Sequence, residues 1–234
     1  MHSSIISQLK HLLVFLDTQG WGHISFMGSE ILATDERFVF SAPFARSKQL
    51  RYMYKYVNNV KTCRGSNSYC SLREGERYTG SVVSYNLNSN TLRIAEGDWQ
   101  KYRRSTKTDP HVYDLTGSAI IKGNFYETTW QSKEHFAIGA PKANNNFGKV
   151  YICYDCFASD RLFNQDKTIE GLNALCPNPQ LSSCLQQGAR FGSSLAAVDI
   201  NGDGIHELVI GAPLYSSKVF GSNYFRKLKS YALF

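Results

Sequence analysis

One short pattern recurs along this chain and restricts what it can fold into. Phe38-Val-Phe-Ser-Ala-Pro43, Phe136-Ala-Ile-Gly-Ala-Pro141 and Leu208-Val-Ile-Gly-Ala-Pro213 each set an apolar run before a small-Ala-Pro turn. The prolines lie 98 and 72 residues apart. Proline cannot donate to a β-ladder, so each motif reads as a strand and the point where it stops. A glycine beside small or aromatic residues precedes each motif, in Trp21-Gly22, Gly117-Ser118 and Phe191-Gly192-Ser193-Ser194. A further strand with a glycine start follows two of them, Gly80-Ser-Val-Val-Ser-Tyr85 and Gly148-Lys-Val-Tyr-Ile-Cys153. Alternation at Val83 and Tyr85, and at Val150 and Ile152, predicts strands with one buried face. Three or four such strands cannot bury that face alone, so the units must stack on their neighbours. Polar, turn-forming stretches at 44–79, 86–112 and 157–187 read as long loops between the repeats.

Composition agrees with an all-β chain. Fourteen Tyr, fourteen Phe and eighteen Gly suit short strands and tight turns better than a helical bundle. With 42% hydrophobic and 19% charged residues in 234, the chain has ample material for a core. The net charge of +7 is spread along the sequence. Its densest basic group, Lys101, Arg103, Arg104 and Lys107, is short and reads as a solvated loop. No nucleic-acid-binding pattern accompanies it, so no nucleic-acid partner is expected. Of six cysteines, Cys63/Cys70 and Cys176/Cys184 close short polar loops in the manner of extracellular disulfides. For Cys153-Tyr-Asp-Cys156 a structural role ranks first, a bridge to another loop second and redox activity third. Residues 5–16 are split by Lys10 and His11, which suits a strand or short amphipathic helix rather than a signal peptide. No stretch approaches the roughly 20 apolar residues of a membrane span, and no Asn-x-Ser/Thr sequon is present.

The most specific chemistry lies in Asp199-Ile-Asn201-Gly-Asp203-Gly-Ile205-His-Glu207. Side-chain oxygens fall at loop positions 1, 3, 5 and 9, and Gly204 at position 6 permits a sharp turn. Ca²⁺ takes about 6–8 oxygen ligands, and the Ile205 carbonyl at position 7 can join the set with water. A helical EF-hand would need an acid at position 12, where Ile210 stands. Strand-compatible residues flank the loop on both sides, so it joins two strands and Glu207 closes it. Mg²⁺ fits less well, because it demands a tight octahedron with several waters. A plain polar turn would not require acids at every second position. The corresponding stretches of the other repeats, 123–132 and 28–36, lack the acid pattern and are not expected to bind Ca²⁺.

These residues resemble the FG-GAP repeats of integrin α subunits. Phe191-Gly192 stands for the FG, Gly211-Ala212-Pro213 for the GAP, and a Ca²⁺ loop lies between them. The resemblance implies an all-β fold of β-propeller blades, an incomplete seven-bladed propeller corresponding to blades two to four. The implied organisation is an N-terminal segment at 1–19, a divergent blade with long loops at 20–112, and a blade without a calcium loop at 113–156. A loop insertion at 157–189 and a truncated calcium-bearing blade at 190–234 follow. The implied function is a cell-adhesion receptor component on the extracellular face of the plasma membrane. It would pair with an integrin β subunit through its upper face and recognise an extracellular-matrix or cell-surface protein ligand. Membrane association would come only through a C-terminal region not seen here. Acids leading into the family's third blade often help recognise ligand, which makes Asp114 a candidate, against the more ordinary reading of a solvated turn. The sequence departs from the family in showing three repeats, in Glu rather than the commoner Asp at position 9, and in lacking the expected glycine-strand after Pro213. A fragment or truncated product is the simplest expectation, and its open blade edges would be adhesive.

Two other functions compete with this one. A calcium-binding FG-GAP propeller attached to a secreted enzyme such as a phospholipase would need a catalytic segment. His2, His11, His23, His111, His135 and His206 show no ligand spacing, and neither a G-x-S-x-G nor an H-E-x-x-H is present. No catalysis is therefore expected from this segment. An independent calcium-binding scaffold would instead cover its open edges by forming dimers or trimers.

Overall fold

The computed structural model describes residues 28–45, 53–59, 80–96, 114–125, 135–154, 157, 167–171, 188–215 and 230–233. They form three antiparallel sheets. The first runs in the order β1 (Ile31–Ala33), β2 (Arg37–Ala42), β3 (Ser81–Asn86) and β4 (Thr91–Glu96). The second runs β5 (Ala119–Gly123), β6 (His135–Ala140), β7 (Lys149–Tyr154) and β8 (Lys167–Glu170). In the third, β10 (Glu207–Gly211) pairs with β9 (Ser194–Val198) on one side and β11 (Ser230–Leu233) on the other. Each recurring motif is thus the second strand of a sheet, and its proline stands at or just beyond that strand's end.

Register makes the sheets equivalent residue by residue. Ala119 pairs with Gly139 and Ser194 with Gly211, so Gly117 and Gly192 hold the same place before their strands. The Gly117 amide donates to Gly139 O (2.9 Å) and the Gly192 amide to Gly211 O (3.0 Å). In the first sheet the same bond runs from Gly28 to Ser41 O (2.8 Å). Gly28, and not the expected Gly22, therefore stands in that role. Strand spacing decides it, because Gly28 lies two residues before the partner of Ser41, and Gly22 falls outside the described residues. The bend before β5 and β9 is also built alike. Leu115 and Arg190 both take positive φ (54° and 56°). Ser118 and Ser193 donate their hydroxyls to the carbonyls of Leu115 and Arg190 (2.7 and 2.8 Å). Gly192 tolerates no side chain here, since its φ is +87° and a Cβ would lie 2.6 Å from Lys149 O.

Apolar side chains from alternate positions glue the sheets face to face. Val39 and Val82 of the first sheet meet Ile120, Phe136, Ile138 and Cys153 of the second. The opposite face of the second sheet, with Ala137, Val150 and Ile152, meets Phe191, Leu208 and Ile210 of the third. Removing a side chain the size of Phe136 or Phe191 from water is worth about 1.5–3 kcal/mol. Parallel bridges at Gly80–Thr116 and Gly148–Phe191 tie each sheet to the next. The other face of the first sheet packs Phe40, Val83, Tyr85 and Ile94 against Met53 and Tyr54, from a helical turn at 53–57. Just after this turn, the Asn58 side chain exchanges two hydrogen bonds with the main chain of Leu92 on β4 (2.9 and 2.8 Å).

Three expectations need correction. The stretches 86–112 and 157–187 are not loop throughout, because they supply the outer strands β4 and β8. β8 pairs with β7, so part of the expected insertion at 157–189 belongs to the second sheet. A third strand also follows Pro213 without a glycine start, as β11 pairs with β10 from Leu208↔Leu233 to Gly211↔Ser230. Polar turn formers at 86–90 precede β4 and hide in the sequence the alternation of its buried Leu92 and Ile94. Cys153 is fully buried and disulfide-bonded. The other five cysteines and the segment 5–16 lie outside the described residues.

Candidate metal centre

The last pair of the β9–β10 ladder is Val198↔Glu207, and the intervening residues 199–206 form the loop. Its acids fold the backbone around themselves. Asp199 accepts the amides of Gly202 (2.7 Å) and Gly204 (2.9 Å), one on each carboxylate oxygen. Asn201 Oδ1 accepts the Asp203 amide (3.0 Å), and Asp203 Oδ1 accepts the Ile205 amide (2.8 Å). The Asn201 side-chain amide donates to Asp203 Oδ2 (2.9 Å). Glu207, only 5% exposed, reaches back to accept the Ile200 amide on Oε2 (2.7 Å). Each short polar side chain thus bonds a backbone group two to five residues on, the local chemistry that makes Asp and Asn turn formers. Gly202 and Gly204 carry the positive φ values (+78° and +85°) that the curl requires. The Gly204 amide, with those of Gly202 and Asp203, holds the Asp199 carboxyl below the usual carboxylate range against the effect of desolvation.

The donor set is all hard oxygen, which suits Ca²⁺ rather than a thiolate- or imidazole-seeking metal. Among the described residues no three acidic, imidazole or thiol groups converge on one point. The oxygens face the loop's own amides instead. A carboxylate offers about four lone-pair sites, so one that accepts an amide can still accept a cation. Asp199, Asn201, Asp203, Glu207 and the Ile205 carbonyl therefore fit such an ion by chemistry and by chain order.

The other two hairpins use the same register with different chemistry. Gly123 pairs with His135 as Val198 pairs with Glu207, so Asn124 stands where Asp199 does and His135 where Glu207 does. Even the closing bond is kept, because the Phe125 amide donates to His135 Nδ1 (3.1 Å) as the Ile200 amide does to Glu207. In the first sheet the turn shrinks to Asp35 and Glu36, spanned by a bond from the Thr34 amide to Arg37 O (2.9 Å). Asn124 also reaches the neighbouring loop. Its side chain donates to Gly204 O (2.7 Å), its amide to His206 Nδ1 (2.9 Å), and its carbonyl accepts the His206 amide (2.6 Å). Sequence reasoning missed Asn124, His135 and His206, since only the register aligns the first two with the acids of the third hairpin. Asp114 lies apart from this loop. It is 4% exposed, with its carbonyl accepting the Lys142 amide (3.1 Å), so the expected solvated turn is corrected to a buried one.

The FG-GAP repeat family matches residues 191–224, which hold β9, the loop and β10. Over 123 residues the chain is 30% identical to integrin alpha-8 of Gallus gallus, covering 52% of this chain and 10% of that one. Integrin alpha-8 of Mus musculus is 29% identical over 188 residues, 69% of this chain and 16% of the relative. This chain carries an integrin α-type FG-GAP region. Integrin alpha-5 of Xenopus laevis, 25% identical over 170 residues, covers 67% of this chain and 14% of its own length. The chain therefore spans roughly a tenth to a sixth of these relatives. Its sheets are β-propeller blades of the FG-GAP type, stacked face to face without closing a ring among the described residues.

Proposed function

We propose that this chain acts as part of an adhesion-receptor propeller whose third blade binds Ca²⁺ through Asp199, Asn201, Asp203, the Ile205 carbonyl and Glu207. The observation that carries this reading is the ladder of side-chain-to-amide bonds at loop positions 1, 3 and 5, closed by buried Glu207, inside the segment that matches the FG-GAP family. The cation would replace repulsion among three neighbouring carboxylates with shared coordination and so stiffen the β9–β10 hairpin. The blades would divide at 20–112, 113–156 with β8 added, and 190–234. In a longer parent, on the extracellular face of the plasma membrane, they would pair with an integrin β subunit and help bind a matrix or cell-surface protein. The role is adhesive rather than catalytic. The disulfide at Cys153 favours an oxidising compartment. Burial of Asp114 favours a structural role there over ligand contact.

The test is a calorimetric Ca²⁺ titration of the chain, read beside thermal unfolding. One Ca²⁺ per chain is expected, with about 2.7 kcal/mol of added stability at a hundredfold excess over Kd. A folded chain that takes up no Ca²⁺ would reduce the loop to a polar turn.

A further inference from the structure

We propose that Asn124 is a positioning residue for the cation site of the neighbouring blade, so that Ca²⁺ uptake and the seating of the second blade on the third are coupled. This rests on the reading of 199–207 as a Ca²⁺ loop. Two of its three bonds act on the peptide groups either side of Ile205, whose carbonyl is the main-chain donor of the set. The Gly204 carbonyl is held by the Asn124 side chain at 2.7 Å, and the His206 amide by the Asn124 carbonyl at 2.6 Å. A trans peptide group is planar, with N–H and C=O pointing in opposite directions. The His206 amide belongs to the same peptide group as the Ile205 carbonyl. Holding that amide toward Asn124 therefore turns the Ile205 oxygen away from the second blade. The third bond, from the Asn124 amide to His206 Nδ1 (2.9 Å), fixes the imidazole beside the same peptide.

Register explains why this residue is available. Asn124 occupies in the second blade the place of Asp199, the first acid of the third-blade loop. An amide side chain can donate where a carboxylate cannot, so the position that would start a metal loop in its own blade braces the loop of the next. Linkage makes the effect reciprocal. If the Asn124 contacts favour the Ca²⁺-competent loop, bound Ca²⁺ strengthens the Asn124 contacts by the same factor.

The experiment compares the unmodified chain with Asn124→Ala by Ca²⁺ calorimetry, and follows amide hydrogen exchange with and without Ca²⁺. Asn124→Ala is expected to weaken Ca²⁺ binding about 3–10-fold, the worth of one hydrogen bond. In the unmodified chain Ca²⁺ is expected to slow exchange at 204–206 and also across the boundary at Asn124 and Phe125. Asn86→Ala, which removes the side-chain acceptor of three bonds in the β3–β4 turn, should lower the unfolding temperature and leave Ca²⁺ affinity alone. Equal affinity in Asn124→Ala would overturn the proposal. So would Ca²⁺ binding without any change at 124–125 in the unmodified chain, a measurement that decides the matter even where the variant does not fold. Absence of Ca²⁺ binding by the unmodified, folded chain would instead remove the metal reading and this proposal together.

Discussion

The β5–β6 and β9–β10 hairpins begin from the same bend, run in the same register and are closed by the same amide-to-side-chain bond. They part company in loop length and in the residues that start and close the loop, Asn124 and His135 in one, Asp199 and Glu207 in the other. The scaffold of a blade therefore resides in its glycines, its Ala-Pro turn and the faces it packs, while the polar chemistry of its hairpin loop varies from blade to blade. A closing His keeps the architecture because Nδ1 accepts the amide as well as a carboxylate does, but it contributes no charge.

The comparison can be broken first at the joint between blades. Phe191 and Thr116 occupy equivalent, fully buried places. Phe191→Ala should lower unfolding free energy by about 3–5 kcal/mol in denaturant titrations. Thr116→Val should be neutral or slightly stabilising, because the buried Thr116 hydroxyl has no hydrogen-bond partner among the described residues. A comparable loss in Thr116→Val would mean that the Thr116 hydroxyl supports its joint as much as the Phe191 ring supports the other. A smaller effect sharpens the difference in chemistry. Glu207→His, which copies the second hairpin into the third, should preserve the closing bond from Ile200 and the fold seen by circular dichroism. Its Ca²⁺ affinity should nevertheless fall by about tenfold or more as a charged ligand is lost. Retained affinity would show that Glu207 is architectural. The smallest effect tests sameness. Ser118→Ala and Ser193→Ala should each cost about 0.5–1.5 kcal/mol, and by matching amounts. A clear gap between them would show that the two bends carry unequal strain.

The parts legible in sequence were those in which a single residue type is forced by geometry. Proline ends β2 and β6, glycine starts β3 and β7, and the spacing of Asp199, Asn201 and Asp203 follows from one loop folding on itself. Sheet interiors were legible through runs such as Phe38–Phe40 and Leu208–Ile210. The outer strands β4, β8 and β11 are harder to read, because each is a short run beside polar, turn-forming sequence, and even the buried pair Leu92 and Ile94 of β4 gives no separate signal there. The sequence points to Gly22 rather than Gly28, since only strand pairing counts residues back from Ser41. Asn124 was invisible for a different reason. Its partners Gly204 and His206 lie some 80 residues further along the chain, and a contact made by blade stacking leaves no mark on local pattern.

The shared register also bears on how such a chain can be altered. The first hairpin turns over at residues 35–36, the second at 124–134 and the third at 199–206, yet the ladders below them are in step. Tip length is thus decoupled from the pairing beneath it, while the second and third hairpins touch where Asn124 bonds Gly204 and His206. A hairpin tip is a natural place to transplant foreign loops, an epitope or a lanthanide tag for instance, because the graft would be anchored by a ladder already tolerant of turns of unequal length.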